Sequence, residues 1–362
     1  MKYLHALNKI QGLGPQKMRM LLDFFGSSEK AWNAGFKVLK QIGIGEALSQ
    51  KIFEERKNID PDAELEKLKK ENIRIIGFTD EKYPAPLKEI TSAPSILYIK
   101  SDLELDELFN NPMIAVVGSR KMTGYGKQVA YSFARDLAIA GITVVSGMAL
   151  GVDAEAHQGA LEGNGKTIAI LGSGLEDKNI GPRNNFELSR RIIRSGALIS
   201  DFIPETPGIP GNFPARNRLM AGLALGTLVI EAAKDSGSLI TANLALEFNR
   251  EVFSVPGPIF SPVSEGTNEL IKSGAKLVTG VKDILEELNL EKMKEIRKAR
   301  SIIPDSPEEE KILKNLSSEP THIDKLVKLT KLKTSEVSSA LVMMEMKGMI
   351  KDIGGQNYIM MR

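Results

Sequence analysis

The 362-residue chain contains no cysteine, one tryptophan and only three histidines. The first absence removes disulfides, thiol catalysis and thiolate metal sites together, and it suits a reducing cytoplasm. Neither sign of charge dominates: 48 Lys and Arg stand against 46 Asp and Glu, a formal net charge of +2. A polyanionic partner must therefore be met by a local basic patch and not by the field of the whole molecule. No uninterrupted apolar run approaches the roughly 20 residues of a membrane span, and Met1 to His5 lack a signal-peptide apolar region. The expectation is a soluble, cytoplasmic protein with no membrane span. What is present is a hydrophobic content of 42% over 362 residues, enough for a large core with one or two satellites.

The first sixty residues read as short helices punctuated by two similar hairpins, Ile10-Gln11-Gly12-Leu13-Gly14-Pro15 and Ile42-Gly43-Ile44-Gly45-Glu46. Apolar-Gly-apolar-Gly between helices is similar to a helix-hairpin-helix, whose glycine amides can contact one phosphate without reading sequence. Lys17 follows the first copy, but Glu46 in the second would repel a phosphate, so that copy reads better as a packing hairpin. From about 73 to 280 apolar strands alternate with amphipathic helices, the pattern of a mostly parallel sheet covered on both faces. Six strands follow: 114–118, 143–146, 167–171, 197–200, 227–230 and 252–255. A charged run, Glu291 to Arg300, then leads through Pro304 and Pro307 to three helix signals and a hairpin at 349–359. That is the pattern of a winged helix. Its third helix carries Met343, Met344 and Met346 and few basic residues, which favours packing or a protein surface over a DNA groove.

The expected fold is therefore α/β: a Rossmann-like, doubly wound, mostly parallel sheet at 61–290. An N-terminal helical domain of helix-hairpin-helix or SAM-like type (1–60) precedes it, and a linker (291–305) and a C-terminal winged helix (306–362) follow. In open sheets of this kind ligands bind at the carboxyl ends of the strands. The strand Met113 to Val117 runs into Gly118-Ser119-Arg120 and then a helix, the layout of a phosphate cradle, since a helix start offers unpaired N–H groups and a favourable dipole. Further strand ends carry Ser146 to Asp153, Gly172-Ser173-Gly174 and Asp235-Ser236-Gly237-Ser238, and Arg216-Asn217-Arg218 stands on a loop entering a helix. One rim can then gather Arg120, Arg216 and Arg218 with the amides around Gly118 and Gly237.

Several enzyme signals fail on context. Gly159 to Thr167 approaches a nucleotide-binding P-loop, but its spacing is one residue too long and it precedes a strand. After Gly172-Ser173-Gly174, Asp177 occupies the third glycine position of a dinucleotide fingerprint. Asp153 and His157, four apart on a helix, have no second ligand cluster nearby. They read as an N-cap and a local hydrogen-bonding residue, with no catalytic residue, metal or cofactor expected.

The motifs Gly118 to Arg120, Ser146 to His157, Gly172 to Leu175, Phe213 to Arg218, Glu231 to Thr241 and Val255 to Gly257 occur in the order of the DNA-processing protein A (DprA, also called Smf) family, which the chain resembles from about 60 to 285. The resemblance implies a non-enzymatic homodimer that binds single-stranded DNA through the sheet domain. Such a protein protects incoming DNA and helps load a RecA-type recombinase in natural transformation. It implies phosphate contacts at Gly118, Ser119, Arg120, Arg183, Arg216, Asn217, Arg218, Gly237 and Ser238, with Phe186 as a base-stacking candidate. The loop Gly174 to Pro182 departs from the family pattern, being two residues longer and lacking a tyrosine, and Ser200-Asp201 replaces a usual Ser-Glu. The alternative is a nucleotide-processing enzyme of the phosphoribohydrolase type using the same phosphate rim. Its catalytic Glu position is not matched in the turn 235–241.

Overall fold

The computed structural model describes residues 1–290, 306–317, 320–346 and 349–360, so the expected linker at 291–305 lies outside the described residues. The chain divides into two compact units, residues 1–283 and 284–362.

The first unit is built on a nine-stranded sheet: β1 (Arg74–Gly77), β2 (Ile96–Lys100), β3 (Met113–Val117), β4 (Thr143–Ser146), β5 (Thr167–Ile170), β6 (Gly196–Ser200), β7 (Gly226–Val229), β8 (Glu251–Ser254) and β9 (Lys276–Leu277). The strands lie in the order β1-β2-β6-β5-β4-β3-β7-β8-β9. Strands β6 to β9 of that order are mutually parallel, and β2 and β1 continue it antiparallel at one edge. Every residue of β2 to β7 is buried, as a strand covered on both faces requires. Alternation along the strands sorts the core into two layers. Ile96, Tyr98, Ala169, Leu171 and Leu198 face one side, and Leu97, Ile99, Ile168, Ile170, Ala197 and Ile199 face the other.

The N-terminal helices Lys2–Asn8, Pro15–Phe25, Ser28–Asn33, Phe36–Gln41 and Glu46–Glu55 cover the first of these faces. Both hairpins seen in the sequence are present. Gly12, Gly43 and Gly45 take φ of 95°, 83° and 97°, where a side chain would be strained, and the apolar residues between them, Leu13 and Ile44, enter the core. Polar contacts pin the seam with the sheet: the buried Tyr98 hydroxyl meets His5 Nδ1 at 2.8 Å and accepts from Asn8 Nδ2 at 3.1 Å, Lys9 pairs with Glu205 at 2.6 Å, and the Ser95 hydroxyl donates to the Pro15 carbonyl at 3.0 Å.

The second unit carries the winged helix. Helices Pro307–Leu313, Ile323–Thr330 and Thr334–Met346 pack around Ile312, Leu326, Val337, Leu341 and Met344. Its small sheet pairs β10 (Thr321–His322) and β11 (Ile350–Asp352) on either side of β12 (Asn357–Met360). Met344 is buried and Met343 is half exposed, so these two neighbouring methionines divide between core and surface. No helix among the described residues is long and apolar enough to cross a membrane.

Candidate functional site

Strands β3 and β7 are neighbours, yet the chain leaves β3 toward β4 and returns to β7 from β6. Such a reversal opens a crevice at the carboxyl edge, and here it is bounded by the turn 118–121 and the segment 230–238. Two helices start there. The start of the helix Gly124–Ile139, expected from the sequence to cradle a phosphate, is already closed. The buried Glu231 carboxylate accepts from the Thr123 backbone N–H at 2.9 Å and from its hydroxyl at 2.5 Å, and that hydroxyl accepts from the Gly126 N–H at 3.1 Å. Gly126 is required because a Cβ there would collide with the Glu231 carboxylate. The helix Gly237–Glu247 is open instead: Ser236 caps the Ser238 N–H at 3.4 Å, and nothing stands within 4 Å of where a Gly237 Cβ would point.

Two adjoining clefts occupy the edge. One, of about 720 Å³, is lined by Gly118, Ser119, Arg120, Lys121, Asp153, Arg216, Asn217, Gly237 and Ser238. The other, of about 460 Å³, is lined by Arg120, Lys178, Arg183, Phe213 and Arg216 among others. Both volumes fall in the range of small-ligand sites. Arg120, Phe213 and Arg216 belong to both and form the divide.

The divide has a buried base and an exposed crest. At the base, Arg216 is 4% exposed and donates from Nη1 to the Ile170 carbonyl, while its Nε has no hydrogen-bond partner. Burial lowers the guanidinium to about 10, against the opposing pull of Asp153 and with a smaller push from Arg120, so it stays charged at neutral pH. Gly147 is needed after β4 because its Cβ would occupy the Arg216 guanidinium. Asp153 is buried in turn. Burial raises its carboxyl above the ordinary value, opposed first by Arg216 and then by the N–H of Ala149, which donates at 3.3 Å. At the crest Arg120 is exposed, lies 5.1 Å from the Phe213 ring centre and pairs with no carboxylate among the described residues. Asn217 donates to the Gly237 carbonyl at 3.3 Å, tying the arginine helix to the open helix start. Gly118 has no room for a side chain, since a Cβ would come within 2.8 Å of Val152 and 3.0 Å of the Glu231 carbonyl.

The structure thus brings together Gly118, Ser119, Arg120, Arg216, Asn217, Gly237 and Ser238, with Arg183 at the mouth of the second cleft. It does not bring Arg218 there. That guanidinium is paired with Asp201 and donates to the Ser92 carbonyl at 2.5 Å, away from both clefts. The reason is helical: Arg216 and Arg218 lie within the helix Asn212–Leu223, and residues two apart on a helix point in nearly opposite directions. Phe186 also lies outside the lining of either cleft, held between Arg183 and Arg190 with their guanidinium carbons 5.5 and 5.2 Å from its ring centre.

Asp153 is not an N-cap, because Gly151 holds that place and the carboxylate folds back onto the preceding loop. His157 is the expected local hydrogen-bonding residue, 2.7 Å from the Thr167 hydroxyl, and burial lowers it to about 3. Lys121, Lys178 and Phe213 were not expected at the site. Only adjacency to Arg120 and the Phe-Pro step before the arginine pair hinted at the first and last.

A Rossmann-type sheet with a cationic crevice at its switch point defines a class of α/β proteins that hold anionic ligands between strand-end loops. Within that class the chain belongs to the family described as DNA recombination-mediator protein A, whose profile matches residues 74–289, and the DprA winged helix domain matches residues 297–356. It is 33% identical over 98% of its length to protein Smf of Synechocystis sp., covering 98% of that protein. It is 37% identical over 90% of its length to protein Smf of Escherichia coli, covering 87% of that chain. Among solved structures, DNA processing protein A of Streptococcus pneumoniae aligns over 79% of this chain and 98% of its own, with a TM-score of 0.68 and 34% identity. That of Helicobacter pylori, described for its single-stranded DNA binding mode, aligns over 60% of this chain and 96% of its own, with a TM-score of 0.53 and 30% identity.

Proposed function

We propose that this recombination mediator binds single-stranded DNA in the two clefts, holding the backbone and leaving the bases largely unread. As a homodimer it would protect incoming strands and help load a RecA-type recombinase. The observation that carries the reading is the divide itself: Arg120 and Arg216 serve both clefts, so one strand passing over Phe213 meets cations on either side. Backbone amides, two serines and fixed guanidinium groups position a phosphate without selecting sequence, and an exposed arginine stacked on an aromatic ring offers the flat cationic surface that bases accept. Several phosphates neutralised together make affinity fall steeply with salt.

Fluorescence anisotropy of a labelled poly-dT strand and its duplex, across a salt series, tests this. The expected result is salt-sensitive preference for the single strand, reduced at least about tenfold in Arg120→Ala, the loss typical of a charge-assisted contact. Binding indifferent to Arg120 would overturn the role of the divide. The enzyme alternative keeps one supporting observation, the buried Asp153 lining the larger, small-ligand-sized cleft. Release of free base from nucleoside monophosphates would establish it.

A further inference from the structure

Beyond the clefts, the helix Phe186–Ser195 carries a concentrated cationic face. Leu188, Ser189, Ile192 and Ile193 are buried, which turns Arg190, Arg191 and Arg194 to solvent together, with Glu187 as the acid among them. In a chain whose charges nearly cancel, three arginines within five residues are a local field that the global balance does not explain. Neighbouring acids explain only part of it. Arg190 is 2.7 Å from Asp177, but Asp177 also holds the buried Lys100 at 2.6 Å, so one carboxylate is shared by two cations. Arg191 and Arg194 are exposed, and neither has an ion pair or side-chain hydrogen bond among the described residues.

The face is continuous with the second cleft. Arg183 lines that cleft and is fixed by donating to the carbonyls of Asp177 at 3.3 Å and Lys178 at 3.0 Å. Phe186 comes next, half-buried between Arg183 and Arg190, and the helix then extends the row by about 12 Å from Phe186 to Arg194, at about 1.5 Å per residue.

We propose that this helix face is an additional single-stranded nucleic-acid contact. In it Arg191 and Arg194 take backbone phosphates of a strand leaving the cleft past Arg183 and Phe186. The proposal rests on the reading of the clefts as a strand site and adds a direction and a length requirement to it. A short strand that fills only the clefts has no use for the helix, whereas a longer one engages both.

The test is anisotropy with the full chain and labelled dT strands of about 8 and about 30 nucleotides, bracketing common single-strand site sizes, for the parent and for R191A/R194A, R191K/R194K and R120A. The alanine pair is expected to bind the long strand several-fold more weakly at low salt. Its slope of log affinity against log salt should be shallower by about 1.4, from about 0.7 per lost phosphate contact on single strands. Binding of the short strand and the melting temperature should not change, and the lysine pair should restore the slope. An alanine pair with the parent's slope on the long strand, while R120A weakens both strands, would overturn the helix track and leave the clefts standing. A parent that binds neither strand at low salt would overturn the cleft reading and the track with it.

Discussion

Two helices begin at one edge of the sheet, after the neighbouring strands β3 and β7, and they treat the same physical opportunity in opposite ways. Both follow parallel strands, β3 and β7, and both present unpaired N–H groups with a favourable dipole to the crevice. The start of Gly124–Ile139 is satisfied internally by Glu231, brought from the end of β7, while that of Gly237–Glu247 has only its short serine cap and open space beyond Gly237. A glycine-rich strand-to-helix turn is therefore an anion site whose anion can be the protein's own. The second terminus keeps open space beyond its serine cap. The Gly118-Ser119-Arg120 turn lines the crevice itself, while the helix that follows it is closed by Glu231.

The contrast can be broken from either side. The largest expected effect is that of Glu231→Ala, which strands the Thr123 donors and should lower stability by about 2 kcal/mol in urea denaturation, the usual cost of leaving buried hydrogen-bonding groups unpaired. If the vacated terminus is an anion site, sulfate should restore part of that loss beyond the stabilisation the same salt gives the parent. A variant as stable as the parent would mean that the internal carboxylate is not holding the helix start.

Next in size is Gly237→Asp, which closes the open terminus as Glu231 closes the other. The position has room for a side chain and no positive φ, so the fold should be retained, with stability unchanged or raised by up to about 1 kcal/mol from the dipole. Affinity for a dT strand should fall about tenfold, the size of effect expected when one charge-assisted contact is exchanged for repulsion. Unchanged affinity would remove this terminus from the site. The smallest effect belongs to Ser236→Ala, which deletes the cap: about 1 kcal/mol of stability by thermal melting, with a loss of affinity smaller than that of Gly237→Asp.

Much of this was legible in the sequence because parallel strands buried on both faces are continuous apolar runs. β3, Met-Ile-Ala-Val-Val, needs no partner to be recognised. The glycine hairpins were visible for a related reason, since only glycine tolerates the turn that places Leu13 and Ile44 in the core. Short edge elements were not visible: β9 has two exposed residues and β10 two residues in all, too few for a period to register. At the site, composition located the rim but could not divide its arginines. Arg216 and Arg218 look equivalent until the helix start at Asn212 fixes their opposite directions. Glu231 is 108 residues from the helix start it closes, a relation that only the β3–β7 adjacency creates.

The shared core of the N-terminal helices and the sheet has a bearing on how the chain is made. Tyr98, which anchors His5 and Asn8, lies on β2, and β2 pairs with β6, whose residues 198–200 emerge some hundred residues later. The front helices can collapse early on their own hairpins, but the surface they offer the sheet stays uncovered until more than half the polypeptide has left the ribosome, about 10 to 40 s at usual synthesis rates. During that interval the nascent chain presents an apolar face with its partner strand still unsynthesised, the kind of exposed surface through which unfinished chains associate with one another.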